Sequence, residues 1–153
     1  MPLEIERKFL VISDTYRDNA KSSDIKQAYL SVTERIAIRV RIDGIQGSLA
    51  IKSKVSDRVN REYEYSIPID EAQSLMKLDD LLVIRKTRYR IQYEGRTWEV
   101  DEFHDANVGL IIAEIELDSE NDLYKIPPWV DKEVTADYRY LNSNLAINPF
   151  SKW

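Results

Sequence analysis

Apolar and charged residues alternate through most of this chain, and the period of two predicts strands rather than helices. The stretch 35–42 shows it most clearly, because its even positions are branched aliphatic residues and its odd positions are three arginines and an alanine. The same pattern predicts strands at 3–12, 27–32, 35–43, 48–55, 61–69, 84–94, 97–103 and 110–117, with a short strand near 132–135. That is enough strand to close a barrel.

The segments between the strands predict tight hairpins and only short helices. Asp43-Gly44 and Glu94-Gly95 supply turn residues, so neighbouring strands should be antiparallel. We expect four short helical segments. The first runs from a cap at Ser13 or Asp14 to about Lys21, and the second starts at a capping box formed by Asp70 and Gln73. The third runs from Ser119 to Pro127-Pro128, which would end it, and the fourth covers 138–145. The expected fold is α+β: an eight-stranded antiparallel β-barrel with a few short helices packed outside, in one domain over 1–153.

Composition narrows the chemistry. The 153 residues include no cysteine and a single histidine, His104, so a metal ion would be held by oxygen atoms or by that histidine. The N-terminus has no apolar core of signal-peptide length, and no stretch approaches a membrane span of about 20 apolar residues, so we expect a cytoplasmic protein without a membrane partner. A formal charge of -5 argues against a nucleic-acid partner.

The charged sides of the strands are sorted by sign. Pairs two residues apart are both acidic, as at Glu62 and Glu64, or both basic, as at Arg39 and Arg41. One interpretation is a two-sided sheet with these residues in water. The alternative, which we favour because nearly every strand carries such a pair, turns the charged sides toward an enclosed lumen. The apolar sides would then need cover from the few helices and from a partner, such as a second copy in a homodimer.

A charged lumen implies a charged ligand, because idle buried charges are too costly. Arginine and lysine side chains from several strands would hold a polyphosphate. The carboxylates would hold Mg²⁺ or Mn²⁺, which prefer oxygen ligands. These are the components of phosphoryl transfer to water.

A series of motifs along the chain completes the picture. In order they are Glu-x-Glu-x-Lys at 4–8, Arg-Val-Arg at 39–41, Ile-Lys at 51–52, Glu-Tyr-Glu-Tyr at 62–65, Lys-Thr-Arg-Tyr at 86–89, Trp-Glu-Val-Asp at 98–101, Ala-Glu-Ile-Glu-Leu at 113–117 and Arg-Tyr-Leu-Asn-Ser-Asn-Leu at 139–145. This arrangement resembles the CYTH superfamily, also called triphosphate tunnel metalloenzymes, and in particular its small bacterial single-domain members.

The resemblance implies an eight-stranded tunnel and a role for each charged position. The implied metal ligands are Glu4, Glu6 and Glu116. Glu114 and Asp101 would be second ligands or would orient water, and with Lys86 they form the expected catalytic group. The expected substrate-binding residues are Lys8, Arg39, Arg41, Lys52, Lys54, Glu62, Glu64, Lys86 and Arg88. Within this group, Glu62 and Glu64 would hold the basic side chains in place or reach a second metal. Many relatives carry a glycine after the fourth strand, and its absence here leaves the role of Lys54 open.

The expected function is divalent-metal-dependent hydrolysis of a triphosphate, with inorganic triphosphate as the first choice of substrate and pyrophosphate and phosphate as products. Thiamine triphosphate or nucleoside triphosphate hydrolysis, cyclisation of ATP, and a non-catalytic polyphosphate-binding module are the alternatives. Tyr29 has the lumen parity, and we expect it to line the mouth rather than contact a base.

Overall fold

The computed structural model describes residues 2–153, in which nine strands form one antiparallel sheet that closes on itself. The strands are β1 (Leu3–Val11), β2 (Lys21–Val32), β3 (Ile36–Asp43), β4 (Gln46–Lys54), β5 (Val59–Ile67), β6 (Ile84–Tyr93), β7 (Arg96–Phe103), β8 (Ile111–Leu117) and β9 (Val130–Glu133). Their order is β5-β4-β3-β2-β6-β7-β8-β1-β9. Pairing of β1 with β5 closes the first eight strands into a barrel.

One edge of β1 is shared between two partners. Its first residues, from Leu3 to Ile5, pair with β5, whereas Phe9 and Val11 pair with β9. The expected eight-stranded antiparallel barrel is therefore confirmed, and β9 extends the sheet beyond the closure.

One strand is longer than the alternation predicts. We expected the second strand to begin at 27, but β2 begins at Lys21 and pairs with β6 as far as Arg90. Residues 21–24 are polar, so they carry no alternation, and the strand exists there because β6 supplies hydrogen-bond partners for its backbone.

The helix predictions were largely wrong. The segment after Ser13 and Asp14 forms only a 3₁₀ turn at Thr15–Arg17. Helix α1 (Ile69–Leu75) follows Pro68 with no side-chain cap, so the capping box at Asp70 and Gln73 does not form. No helix starts at Ser119, where the Asp122 carboxylate instead accepts hydrogen bonds from two backbone N–H groups.

The predicted C-terminal helix over 138–145 is broken in two. A 3₁₀ turn at Tyr138–Tyr140 is followed by Leu141, whose backbone is extended, and then by the short helix α2 (Asn142–Leu145). The extended residue lets α2 turn into the end of the barrel, and Leu145 is fully buried there. In the described residues, no helix is long and apolar enough to cross a membrane.

The apolar faces of the strands point outward and are only partly covered. Helix α1 packs over β3 and β4, where Ala72 meets Val40. Gly47 on β4 allows this close approach, because a Cβ at that position would lie only 3.1 Å from the Cβ of Ala72. Aromatic residues outside the barrel cover β1, β7 and β8, with Trp98 packed against Trp129. On β5, Tyr65 remains 56% exposed.

One end of the lumen is filled by apolar side chains. Phe103 lies opposite Lys86 in the ladder, and Ile112 lies opposite Asp101, so both share the inward face with charged residues. They pack with Ile84, Leu110 and Leu145. The inner face is thus charged along the middle of the barrel and apolar where α2 enters.

Candidate active site

Strand β1 supplies the first part of the site. Glu4, Glu6 and Lys8 alternate with apolar residues, and this period of two places all three on the inward face. The antiparallel register with β8 then sets Glu6 opposite Glu116 and Lys8 opposite Glu114. The direction we favoured from the sequence is confirmed, because these charged sides converge on an enclosed axis.

A cavity of about 60 Å³ lies in the middle of the lumen and is lined only by ionic residues: Glu4, Glu6, Arg39, Arg41, Lys52, Glu62, Arg88, Glu99, Glu114 and Glu116. Six are carboxylates and four are cations. Nine of these ten side chains were expected in the substrate, metal or catalytic groups, and Arg41 is among them. Glu99 belongs to the Trp-Glu-Val-Asp motif, for which the sequence predicted no role at that position.

Two lysines are surrounded by carboxylates. Lys8 Nζ lies 3.0 Å from Glu114 and 3.2 Å from Glu6, and Lys52 Nζ lies 3.0 Å from both Glu4 and Glu62. Burial raises the pKa of Glu114, but the charges of Lys8, Arg88 and Lys86 together outweigh it and bring that pKa down to about 2. Glu114 is therefore ionised at neutral pH.

Lys86, Arg88 and Asp101 form a buried ion cluster beside the cavity. Both oxygens of Asp101 accept hydrogen bonds from Arg88, at 2.7 and 2.9 Å, and Lys86 Nζ lies 2.8 Å from the same carboxylate. Burial opposes the charged carboxylate, yet these two cations hold the pKa of Asp101 far below its usual range. Burial lowers the pKa of Lys86 to about 7.

Arg39 and Arg41 are less completely paired. Arg39 contacts Glu64 at 3.0 Å through Nη2, but its buried Nε has no hydrogen-bond partner among the described residues. Arg41 forms no ion pair within residues 2–153. Burial, reinforced by the charges of Arg39 and Arg88, lowers the pKa of Arg41 to about 10. Among the described residues, Arg41 thus carries a positive charge with no carboxylate in direct contact.

Three expected metal ligands repel one another. Burial raises the pKa values of Glu4, Glu6 and Glu116, and the neighbouring carboxylates raise them further, to about 7 for Glu116. As they stand, no three acidic or histidine side chains of the described residues form a ready-made metal cluster. Glu4 and Glu6 are turned toward Lys52 and Lys8 instead. The donor atoms suit a hard divalent cation, which would relieve this repulsion.

A larger cavity of about 440 Å³ forms the mouth of the tunnel and shares Glu6 and Lys52 with the central cavity. Tyr29 lies at this mouth, where we expected it. Lys54 also lines the mouth and pairs with Asp57 at 3.2 Å, so it does not reach the central cavity. A third cavity, of about 560 Å³, adjoins Glu99 and Glu116 at the other end of β8.

The sequence interpretation missed two residues of the lumen. Gln27 is fully buried and accepts hydrogen bonds from Arg41, and Asn142 from α2 accepts one from Lys86. Gln27 shares the parity of Tyr29, so a neutral residue on a lumen position was the available signal. Nothing in the local pattern around Asn142 indicates that it enters the barrel.

Comparison with known proteins agrees with this architecture. Residues 2–146 match the model of the CYTH domain. Two relatives named inorganic triphosphatase are similar over nearly their whole length. The one from Acetivibrio thermocellus is 46% identical, and the match covers 100% of this chain and 99% of the relative. The one from Nitrosomonas europaea is 33% identical, and the match covers 95% of this chain and 97% of the relative. The crystal structure of the inorganic triphosphatase NE1496 superposes with a TM-score of 0.68 at 33% identity, covering 96% of each chain. Together with the closed barrel and its ionic lumen, this match shows that the chain belongs to the CYTH domain family.

Proposed function

We propose that this protein hydrolyses a triphosphate in the presence of a divalent cation, with inorganic triphosphate as substrate and pyrophosphate and phosphate as products. The observation that carries the proposal is the charge arrangement of the lumen. Arg41 is half-buried without a carboxylate partner, while Glu4 and Glu6 lie close enough to Glu116 to raise its pKa. A polyanion and a divalent cation would offset both imbalances at once.

The basic residues provide the anion site. Burying a guanidinium without an anion is costly, and the unpartnered Nε of Arg39 adds a donor with nothing to bind. Phosphate oxygens are suitable acceptors for both, because guanidinium groups bind them through paired N–H donors. Lys52, Lys86 and Arg88 would add charge from three other positions of the wall.

The carboxylates provide the cation site. Glu4, Glu6 and Glu116 would hold Mg²⁺ or Mn²⁺, and the bound ion would supply Lewis acidity toward phosphate and water oxygens. Lys8 and Lys52 hold Glu6 and Glu4 within the lumen.

The remaining ionic residues act on the reacting groups. Arg39, Arg41 and Arg88 would neutralise the charge that develops on the leaving pyrophosphate. Glu114, ionised and oriented by Lys8, is the candidate group for orienting the attacking water. Asp101, which contacts Lys86 and Arg88 through both of its oxygens, would fix these two cations.

Two observations favour a compact substrate. The relatives from both organisms are named inorganic triphosphatase, and the central cavity is lined by ionic groups alone. A nucleoside triphosphate is the second candidate, because the mouth cavity of about 440 Å³, with Tyr29, Val32 and Leu141 in its lining, could take an organic group.

A phosphate-release assay tests the proposal. Purified protein is incubated with inorganic triphosphate, ATP or thiamine triphosphate, each with Mg²⁺, with Mn²⁺ or with EDTA. We expect release from inorganic triphosphate to be fastest and to stop in EDTA. Tight binding of triphosphate by calorimetry, with no turnover under any of these conditions, would instead show a binding module.

A further inference from the structure

Gln27 occupies an unusual place among the ions of the lumen. It is a neutral side chain with no exposed surface, on β2 opposite Arg41 of β3. Its Oε1 accepts two hydrogen bonds from Arg41, from Nε at 3.0 Å and from Nη2 at 2.8 Å. This side-on pair of bonds sets the plane of the guanidinium and uses two of its five N–H donors.

The other half of the Gln27 amide is also engaged. Its Nε2 donates to Asn142 Oδ1 at 2.9 Å, and the same oxygen accepts a hydrogen bond from Lys86 Nζ at 2.9 Å. The amide orientations follow from chemistry, because a guanidinium has only donors and must therefore face Oε1. Nε2 then faces Asn142, which must present its oxygen. One network thus joins Arg41 to Lys86 through two amides.

The other cations of the lumen are oriented differently. Lys8, Lys52, Lys86 and Arg88 each contact at least one carboxylate, and each pair places negative charge beside the cation. An amide gives Arg41 an acceptor of similar geometry without that charge. The guanidinium is therefore held in place with no carboxylate of the described residues in direct contact.

We propose that Gln27 is a positioning residue that orients Arg41 toward the triphosphate while leaving its charge available for the ligand. The proposal rests on the proposed function, because it takes the basic wall as the anion site.

Two substitutions at this position separate charge from packing. Gln27→Glu keeps the acceptors for Arg41 but neutralises its charge and loses the donor to Asn142, so we expect the Kd for triphosphate to rise about 10- to 100-fold. Gln27→Met removes the hydrogen bonds and keeps the charge of Arg41, so we expect a smaller rise in Kd, below 10-fold, with a lower Tm. Gln73→Glu, on the exposed surface of α1, is the control for the change in net charge.

Calorimetry with inorganic triphosphate in EDTA measures Kd without turnover, and KM with Mg²⁺ or Mn²⁺ provides the second measurement. A simple structural role predicts the opposite order, with Gln27→Met the weaker binder because it is the less stable protein. The inference would be overturned if Gln27→Met bound triphosphate more weakly than Gln27→Glu. It would also be overturned if Gln27→Glu bound as tightly as Gln73→Glu, or if Gln27→Glu failed to fold. Wild-type protein that neither binds nor hydrolyses triphosphate would overturn the proposed function instead.

Discussion

Glu6 and Glu116 are direct partners across the β1–β8 ladder, with their side chains on the same inward face. Like charges placed opposite each other in a sheet are destabilising, and the pKa of Glu116 is accordingly raised to about 7 by burial and by Glu4 and Glu6. A divalent cation bound as proposed would relieve the cost of this arrangement in the empty barrel.

Replacing Glu116 should therefore stabilise the metal-free protein and inactivate the enzyme. The folded-state pKa lies above the ordinary value of 4.5, so ionisation of Glu116 reduces stability as pH rises from about 4.5 to 7. We expect Glu116→Gln in EDTA at pH 8 to raise Tm by on the order of 1–3 °C. We expect its metal-dependent phosphate release to fall by at least about 100-fold.

Differential scanning calorimetry and the phosphate assay measure the two effects. Glu120→Gln, on an exposed loop, makes the same change in charge and should alter neither. A Glu116→Gln protein that is less stable without metal would show that this carboxylate supports the fold.

Divalent cations should stabilise the wild-type protein more than a variant lacking one ligand. A ligand that binds only the folded state adds about 2.7 kcal/mol at a hundredfold excess over its Kd. We expect Mn²⁺ to raise the Tm of wild-type protein by several degrees and to have a much smaller effect on Glu6→Gln. Equal shifts in thermal denaturation would place the cation away from Glu6.

Asp101 should be among the most sensitive positions for stability. Asp101→Asn leaves Lys86 and Arg88 buried without their shared carboxylate, and breaking a buried ion pair in this way costs about 3–5 kcal/mol. Urea unfolding provides the measurement. The comparison variant is Asp105→Asn, because Asp105 pairs with Arg85 where both side chains are 53% exposed. We expect it to unfold close to wild type, and similar losses in the two variants would contradict the assigned burial.

Stability in acid should depend on Glu133. Hydrogen bonds from Arg7, at 2.8 and 3.0 Å, lower the pKa of Glu133 below its ordinary value of 4.5. Its contribution is present above pH 4.5 and is lost as pH falls through the lower folded-state pKa. We expect the Tm of wild-type protein to fall more steeply than that of Glu133→Gln below pH 4.5. Parallel curves of Tm against pH would rule out this contribution.

The parity of the strands was the most informative signal in the sequence. A pleated strand sends successive side chains to opposite faces, so Glu4, Glu6 and Lys8 had to share one face wherever the strand lay. The same reasoning grouped Arg39 with Arg41 and Glu114 with Glu116. The helices were predicted poorly because short capped segments of this size form only where tertiary packing supports them, and Asp70, for example, caps nothing.

The sequence by itself determined which side chains stand together on each strand, because the period of two is a local property of extended backbone. Only the tertiary structure decided that the ionic faces turn inward, since this follows from the pairing of Leu3–Ile5 with Val59–Arg61 that closes the barrel. The same is true of Asn142, which reaches Lys86 across 56 residues of chain. Contacts between residues so far apart depend on how the strands are arranged in space, and no local pattern of residues contains that information.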